Sequence, residues 1–286
     1  MDITIDTLVA KSGTPVSLPE VFVQINELTQ DPRSSVADIA RVAETDAGLS
    51  ARILKIVNSP YYGFPSSIDN ITRAVSILGM QDLRDLALAT TTIDLFANNK
   101  HQHKHIIQLW RHNLFCAVIA KSLAEQLSQL HVERFFVAGL LHDIGRLIMF
   151  QGLPEETHQA IDIARTSGEN MLHIEQSMLG FTHTDVGARI VSQWKLPSNI
   201  IEVVAFHHTP AKAKQFPLET SVIHLANNLA SIIDPDSNLA GTILPLDTHA
   251  IDVLGLDNSV LQTIHDDVME QFAEMYALLF PDVKAA

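Results

Sequence analysis

The sequence predicts an all-α protein. Along almost all of the 286-residue chain, apolar residues recur at the spacing of three and four residues that is typical of helices. No stretch alternates polar and apolar residues for long enough to indicate a strand, and the periodic segments end at glycine, proline or asparagine. Hydrophobic residues make up 47% of the chain and charged residues 18%, which is the composition of a globular protein with a sizeable core.

The N-terminal part of the chain is predicted to form five helices. Pro19 suits a first helical turn, Ser35 and Asp38 resemble a capping box, and Gly79 separates the last two helices. The apolar side chains of residues 49–57 share one helical face. The predicted helices are 18–28, 35–43, 49–57, 71–78 and 80–96.

The rest of the chain is predicted to form eight more helices. The segment 132–150 is apolar on nearly every side, which indicates a buried helix. The segment from Asp234 to His249 is rich in aspartate, proline and glycine and is predicted to be a long surface loop. The predicted helices are about 106–130, 132–150, 154–167, 170–179, 182–194, 197–208, 217–233 and 258–280.

A polar stretch is predicted to divide the chain into two lobes. This stretch is Ala97-Asn98-Asn99-Lys100, which lies between two helical blocks. Residues 1–97 would form an N-terminal helical lobe, and residues 98–286 would form a larger lobe that holds the histidines considered below. No internal repeat and no low-complexity segment is evident.

The charge balance limits the classes of partner. The chain has 19 basic and 33 acidic residues, a net charge of −14, and such a surface repels phosphate backbones, so no nucleic-acid partner is expected. The densest apolar run, residues 135–141, is far too short to cross a bilayer, so no membrane association is expected. The first residues lack the pattern of a signal peptide, and the single Cys116 cannot form an internal disulfide, which together predict a cytoplasmic protein.

The most informative pair of residues is His142-Asp143, inside the apolar segment 132–150. A buried carboxylate is very costly unless it is paired, hydrogen-bonded or bound to a metal. Arg146 could pair with Asp143, and this pair alone would then be structural. Alternatively, imidazole and carboxylate are ligands for Fe, Mn or Zn, and the carboxylate can bridge two ions.

Four further histidines favour the metal interpretation. Each has an ordinary structural explanation, since His112 could be a core histidine, His183 could belong to a helix N-terminus, and His207 and His208 could complement a helix dipole. His183 shares a helical face with apolar residues, so its side chain is expected to point inward. Together with the buried pair, the four positions indicate one common metal site.

The chain resembles a known family. Its histidines and aspartate follow an order that resembles the HD superfamily of metal-dependent phosphohydrolases. These residues are His112, His142-Asp143, His183 and His207-His208. More closely, the chain is similar to the HDOD domain of bacterial signal-transduction proteins. The segments that carry this likeness are Leu18-Pro19-Glu20-Val21, 36–40, 45–55, 57–63, 74–79 with Leu83-Arg84, Val186-Gly187 and Trp194-Lys195-Leu196-Pro197. The resemblance covers about residues 12–210.

The resemblance implies an HD-type helical core with an additional N-terminal helical lobe, and a role in bacterial regulation. It also implies a metal site that holds one or two divalent ions, with Fe, Mn or Zn favoured over Mg. Asp143 is the candidate catalytic residue, since its carboxylate could bridge two ions. The implied ligands are His112, His142, Asp143, His183, His207 and His208.

Two departures from the catalytic HD-GYP relatives argue against activity. Thr209-Pro210-Ala211 follows the last histidine pair where those relatives have a Gly-Tyr-Pro segment. Asn227 stands where they place a late aspartate ligand, and the lost negative charge is expected to weaken binding of a second cation. Asn227 is therefore a candidate residue near the site.

Three functions remain open. The leading one is signal transduction through contacts with a signalling protein or a nucleotide. The alternative is an active metal-dependent phosphohydrolase that acts on a nucleotide or another phosphorylated small molecule. A third interpretation is a metal-free interaction scaffold with structural histidines. His142-Asp143 favours the enzyme, whereas Asn227 opposes it, and the oligomeric state does not follow from the sequence.

Overall fold

The computed structural model describes residues 4–11, 18–97, 103–241, 243, 245–256 and 258–280. Throughout these ranges the chain forms helices, turns and loops and no strand, which confirms the predicted all-α class. None of the helices in this part of the chain is both long and apolar enough to cross a membrane.

Sixteen α-helices are present within the described ranges. They are α1 (Ile5–Lys11), α2 (Glu20–Gln30), α3 (Val36–Ala43), α4 (Ala47–Val57), α5 (Ile71–Leu78), α6 (Met80–Ala97), α7 (His103–Gln126), α8 (Glu133–Leu141), α9 (Ile144–Gly152), α10 (Pro154–Ser167), α11 (Met171–Leu179), α12 (His183–Gln193), α13 (Ser198–Phe206), α14 (Pro217–Ile233), α15 (Thr248–Leu254) and α16 (Asn258–Leu279). Two short 3-10 turns lie at Pro210–Lys212 and Pro235–Ser237.

The chain separates into two compact units. One unit contains Met1–Val16 and Asn99–Val268, and the other contains Ser17–Asn98 and Met269–Ala286. Within the predicted seam, residues 98–100 lie outside the described residues, so the division of the chain at residue 97 stays a prediction.

The unit of Ser17–Asn98 is built from short helices with local caps. Ser35 and Asp38 form the predicted capping box of α3, and the side chain of Asn70 accepts from the backbone N–H of Arg73 at the start of α5. Asn58 donates to the carbonyl of Ile68 and accepts from its N–H, which fastens the loop between α4 and α5. Buried side chains of this unit include Phe22, Ile25, Ile39, Ile53 and Leu83.

In the larger unit, two glycines allow helices to approach very closely. A Cβ on Gly139 of α8 would lie 2.7 Å from the Cα of Ala117 in α7. A Cβ on Gly145 of α9 would lie 1.9 Å from the carbonyl oxygen of His183 in α12. Because real atoms cannot approach so closely, only glycine allows these helix contacts, and the second contact brings Asp143 and His183 together.

The predicted helix 132–150 is wrong as a single element, because the chain breaks at His142 and Asp143. Asp143 has φ −102° and ψ 20°, outside the helical region. Carbonyls near the end of α8 are paired by side chains instead, since His142 Nδ1 donates to Gly139 at 2.7 Å and Asn113 Nδ2 donates to Leu140 at 3.0 Å. The break turns His142 and Asp143 toward the other histidines.

Two other predictions need correction. Helix α7 ends at Gln126 rather than near residue 130, and the chain then adopts a left-handed conformation at Ser128, with φ 53°. The segment from Asp234 is not a simple surface loop, because it contains a 3-10 turn and its residues Ser237, Leu239 and Ala240 are buried. Helix α15 then begins at Thr248, and α1 was not predicted.

Candidate metal centre

Five elements of the larger unit bring the predicted site residues together. His112 comes from α7, His142 and Asp143 from the break between α8 and α9, and His183 from the first position of α12. His207 and His208 follow the last residue of α13, and Asn227 belongs to α14. All of these side chains are buried except that of His208, which is partly exposed.

Backbone carbonyls set the tautomers of His142 and His207. Nδ1 of His142 lies 2.7 Å from the carbonyl of Gly139, and Nδ1 of His207 lies 3.1 Å from the carbonyl of Val204. A carbonyl can only accept, so each Nδ1 carries the proton and each Nε2 presents a lone pair. Neither buried Nε2 atom has a hydrogen-bond partner within the part of the chain that the structure describes.

Both lone pairs point toward Asp143. Nε2 of His142 is 3.7 Å from Oδ2 of Asp143, and Nε2 of His207 is 3.6 Å from Oδ1. These distances exceed those of hydrogen bonds, so the nitrogens face the carboxylate without bonding to it. This arrangement is typical of metal-ligating histidines, whose other ring nitrogen donates to a carbonyl or a carboxylate.

His183 is held by a carboxylate that the sequence analysis missed. Its Nδ1 lies 2.7 Å from Oε2 of Glu175, and its backbone N–H donates to the same oxygen at 2.9 Å. Nε2 of His183 then faces Oδ1 of Asp143 at 3.1 Å and Nε2 of His208 at 3.2 Å. At these distances the three atoms share a proton, carried by one of the imidazoles, or a cation in its place.

Glu175 could have been identified from its position. It lies on α11 with the buried residues Met171 and Ile174, so it is an acid on an apolar helix face. With Arg146 it closes a ring around the site, because Nε of Arg146 donates to Oδ2 of Asp143 at 2.9 Å and its Nη1 lies 3.7 Å from Oε1 of Glu175. The Arg146 pair that offered the structural explanation of Asp143 is therefore present, and it positions the carboxylate beside the histidines.

His112 and Asn227 form the opposite side of the cluster. Nε2 of His112 lies 2.8 Å from Oδ1 of Asn227, and Nδ1 of His112 is buried with no hydrogen-bond partner among the described residues. Asn227 thus stands beside a candidate ligand, where the sequence comparison with catalytic relatives placed it.

His224 supports the site without belonging to it, and the sequence analysis assigned it no role. Its Nδ1 donates to the carbonyl of His207 at 2.8 Å, and its Nε2 accepts from the backbone N–H of Asp247 at 3.0 Å. Both ring nitrogens are therefore committed, and the imidazole fixes the turn that carries His207.

The donor atoms form two overlapping groups that share Asp143. His112, His142 and Asp143 each offer one atom within 4.8 Å of the others, and so do Asp143, His183, His207 and His208. Ligands at about 2.1 Å from an ion and at right angles to each other lie about 3 Å apart, which matches the shortest separations here. The cluster can therefore hold a metal ion, and its unpartnered buried nitrogens fit one.

Burial and the neighbouring charged groups set the protonation state of each candidate ligand. Burial is the main reason that the pKa values of His112 and His142 fall from 6.5 to about 4. Burial alone would raise the pKa of Asp143, but Arg146 and the histidines hold it well below its usual range. Burial and Arg146 act to lower the pKa of His183, but Glu175 and Asp143 outweigh them and raise it. His112, His142 and Asp143 are thus in metal-binding form at neutral pH.

A cleft that is open to solvent reaches the cluster. His112, Asp143 and His208 form part of its wall. The other lining residues are Leu109, Arg146, Asn170, Met171, Leu172, Asn227, Asn228, Ser231, Ser237, Asn238, Leu239 and Ala240. Ligands can therefore reach the candidate metal ligands from solvent.

Of the alternating histidines upstream of the site, His105 forms no part of it. His101 lies outside the described residues, whereas Nδ1 of His105 lies 3.0 Å from Nε2 of His158. Neither His105 nor His158 belongs to a group of three potential metal ligands among the described residues.

Comparisons with known proteins agree with the predicted family and the helical fold. The model of the HDOD domain family matches residues 16–210, which confirms the resemblance found in the sequence. A crystal structure of an HDOD domain protein of unknown function from Geobacter sulfurreducens is 22% identical, with a TM-score of 0.72, over 96% of this chain and 99% of that one. A candidate phosphohydrolase from Shewanella amazonensis SB2B is 24% identical, with a TM-score of 0.68, over 94% of this chain and 97% of that one. These two likenesses establish the fold.

One curated relative also matches. It is an uncharacterised protein from Treponema pallidum (strain Nichols), 23% identical over 222 residues. The match covers 77% of this chain but only 43% of that relative. The relative therefore contains a large region without a counterpart in this match.

Proposed function

Because the chain belongs to the HDOD family, we propose that it is a bacterial signal-transduction protein that binds its ligand at a divalent-metal site of the HD-phosphohydrolase type. One observation carries this proposal: the buried Nε2 atoms of His142, His183 and His207 all face the carboxylate of Asp143, and the opposite nitrogen of each ring is hydrogen-bonded. For His142 and His207, the lone pair lies near the carboxylate with no hydrogen bond among the described residues, an arrangement that a cation between them would stabilise.

The two groups of donors are unequal. Asp143, His183, His207 and His208 supply a carboxylate and three imidazoles, and Glu175 supports this group from behind. The group of His112, His142 and Asp143 lacks a second carboxylate, because Asn227 is the side chain next to it. We therefore expect one ion to bind tightly in the first group and a second ion to bind weakly. The mixed imidazole and carboxylate donors favour Fe, Mn or Zn over Mg.

A bound ion would supply Lewis acidity toward an anionic group in the cleft. The chain itself orients the donors, since Arg146 and Glu175 hold Asp143 and His183 in place. The cytoplasm is the proposed location, and a signalling protein or a nucleotide is the proposed partner.

The second candidate function is a metal-dependent phosphohydrolase that acts on a phosphorylated small molecule. It is favoured by the shared position of Asp143 in both donor groups and by the cleft that opens onto it. The similar protein from Shewanella amazonensis SB2B is itself a candidate phosphohydrolase. Turnover of a phosphate monoester that disappears in Asp143→Asn would establish this function, since a regulatory site needs no turnover.

Elemental analysis of protein purified without a histidine tag tests the metal site. We expect about one transition-metal ion per chain in the wild type and in His173→Ala, because His173 is an exposed histidine of α11. His207→Ala should lose most of the metal. Well under one ion per chain after reconstitution of the wild type, or equal metal in all three proteins, would overturn the proposal.

A further inference from the structure

We propose that the cleft beside the metal cluster selects small molecules with a single phosphoryl group and an uncharged body that carries hydrogen-bond donors. This inference rests on the proposed metal site and names the class of ligand for it. It follows from the charges at the cluster and from the hydrogen-bonding state of the cleft wall.

The charges at the cluster leave room for one anionic group. Asp143 and Glu175 contribute two negative charges, and Arg146 contributes one positive charge between them. Histidines that ligate a metal are neutral. With the one divalent ion expected to bind tightly, the cluster has a net charge of plus one, so a single phosphoryl group, of charge about −1.5 to −2, is sufficient to balance it.

The described part of the wall offers no further cation to a second anionic group. Among the described residues that line this cleft, Arg146 is the one lysine or arginine. Arg111 and Arg165 contact the segment of residues 234–241, but neither is among the described residues that line the cleft. Arg111 pairs with Asp234, and Nε of Arg165 donates to the carbonyl of Leu239 at 2.8 Å. A second phosphate would therefore lose its hydration without gaining a charged partner.

Three of the neutral polar residues of the wall use a side-chain donor within the protein. The hydroxyl of Ser231 donates to the carbonyl of Asn227, and the hydroxyl of Ser237 donates to the carbonyl of Asp234. Nδ2 of Asn228 donates to the carbonyl of His224 at 2.9 Å. The oxygen atoms of the two hydroxyls can still accept hydrogen bonds. They therefore match hydroxyl and N–H groups of a ligand and repel the oxygens of a phosphate, which can only accept.

The remaining wall is apolar. Leu109, Leu172 and Leu239 line the cleft, together with Met171 and Ala240. These side chains can bury the less polar face of a ring, because small-molecule sites are lined mostly by apolar side chains. A sugar phosphate or a nucleoside monophosphate has all the required features, whereas bisphosphates and cyclic dinucleotides carry a second anionic group.

The test compares two matched pairs of ligands by isothermal titration calorimetry on protein whose metal content has been measured. The pairs are fructose 6-phosphate with fructose 1,6-bisphosphate, and adenosine 5′-monophosphate with adenosine 3′,5′-bisphosphate. Inorganic phosphate measures the contribution of the anionic group alone. We expect at least one monoester to bind tenfold or more tightly than inorganic phosphate, and its bisphosphate to bind at least tenfold more weakly than the monoester.

Variants of Leu172, which is partly exposed on α11, test the reason for this selectivity. Leu172→Lys adds a cation to the wall, and Leu172→Met is the matched neutral control. The lysine variant should bind the bisphosphate at least tenfold more tightly than the methionine variant does. If Leu172→Lys fails to fold, Asn238→Lys places the charge at another partly exposed lining residue.

Three results would overturn the inference. They are monoesters that bind no better than inorganic phosphate, a bisphosphate that binds as tightly as its monoester, and an added lysine that leaves bisphosphate affinity unchanged. Each is measured on metal-loaded protein, so it contradicts the ligand class alone. Failure of the protein to hold metal would instead contradict the proposed function.

Discussion

Replacing Asn227 with aspartate should create a tighter second metal site. Oδ1 of Asn227 lies 2.8 Å from Nε2 of His112, at the edge of the donor group of His112, His142 and Asp143. That group has the shared carboxylate of Asp143 and two imidazoles, whereas the other group has the same carboxylate and three imidazoles. Asn227→Asp changes one atom of nearly the same size, so it adds a negative charge without changing the packing of α14.

The size of the effect follows from opposing contributions. Two unit charges about 4 Å apart attract by about 4 kcal/mol at an effective dielectric constant near 20. Repulsion from Asp143 and the loss of hydration of a carboxylate that replaces a nearly buried amide, 9% exposed, subtract from this attraction. A charge-assisted contact in such a position typically contributes about 1–3 kcal/mol, which corresponds to a factor of roughly 5 to 150 in affinity.

The assay is a calorimetric titration of Mn or Zn into metal-free protein. The wild type should show one tight site and a weak second site. In Asn227→Asp the second site should bind the ion more tightly than in the wild type by that factor. Asn238→Asp is the control, because it adds the same charge to a residue that lines the cleft but belongs to neither donor group. Identical stoichiometry and affinity in the wild type and Asn227→Asp, or an equal gain in Asn238→Asp, would refute the reasoning.

Two further predictions concern the support and the protonation of the ligands. Glu175→Gln should weaken binding of the first ion by about 10- to 100-fold, because Nδ1 of His183 loses its carboxylate partner, whereas the exposed Glu169→Gln should leave it unchanged in a chelator competition assay. Equal metal affinities in the wild type and Glu175→Gln would show that Glu175 has no positioning role. In metal-free protein, His142 has a pKa of about 4 against 6.5 when exposed, so the folded state binds fewer protons than the unfolded state between these values. The stability that neutral His142 contributes is present above pH 6.5 and lost as the pH falls through about 4, on the order of 3 kcal/mol. Thermal melts from pH 7.5 to 4.5 should show a shallower decline for His142→Gln than for the wild type or His173→Gln, and parallel curves would contradict this assignment.

The sequence by itself predicted the features that depend on neighbouring residues. The capping box of Ser35 and Asp38 and the helical segments 71–78, 154–167 and 217–233 follow from local hydrogen bonds and apolar spacing, which need no distant partner. The same locality made the candidate ligands visible. A histidine or aspartate within an apolar segment must be buried, and a buried polar group requires a partner. The sequence alone therefore indicates His142-Asp143 as candidate site residues.

Only the tertiary structure decided what these residues face. The apolar segment 132–150 looks like one helix, but it breaks at Asp143 because Asn113 of another helix takes up the carbonyl of Leu140. Glu175 and His224 reach the site through contacts with His183 and the turn of His207, and neither contact has a pattern in the sequence. The residues after Asp234 were predicted as a surface loop from their composition, yet Leu239 and Ala240 are buried in the cleft wall. Composition and periodicity describe a segment by itself, whereas a binding site is formed by side chains from several segments that meet only after the chain has folded.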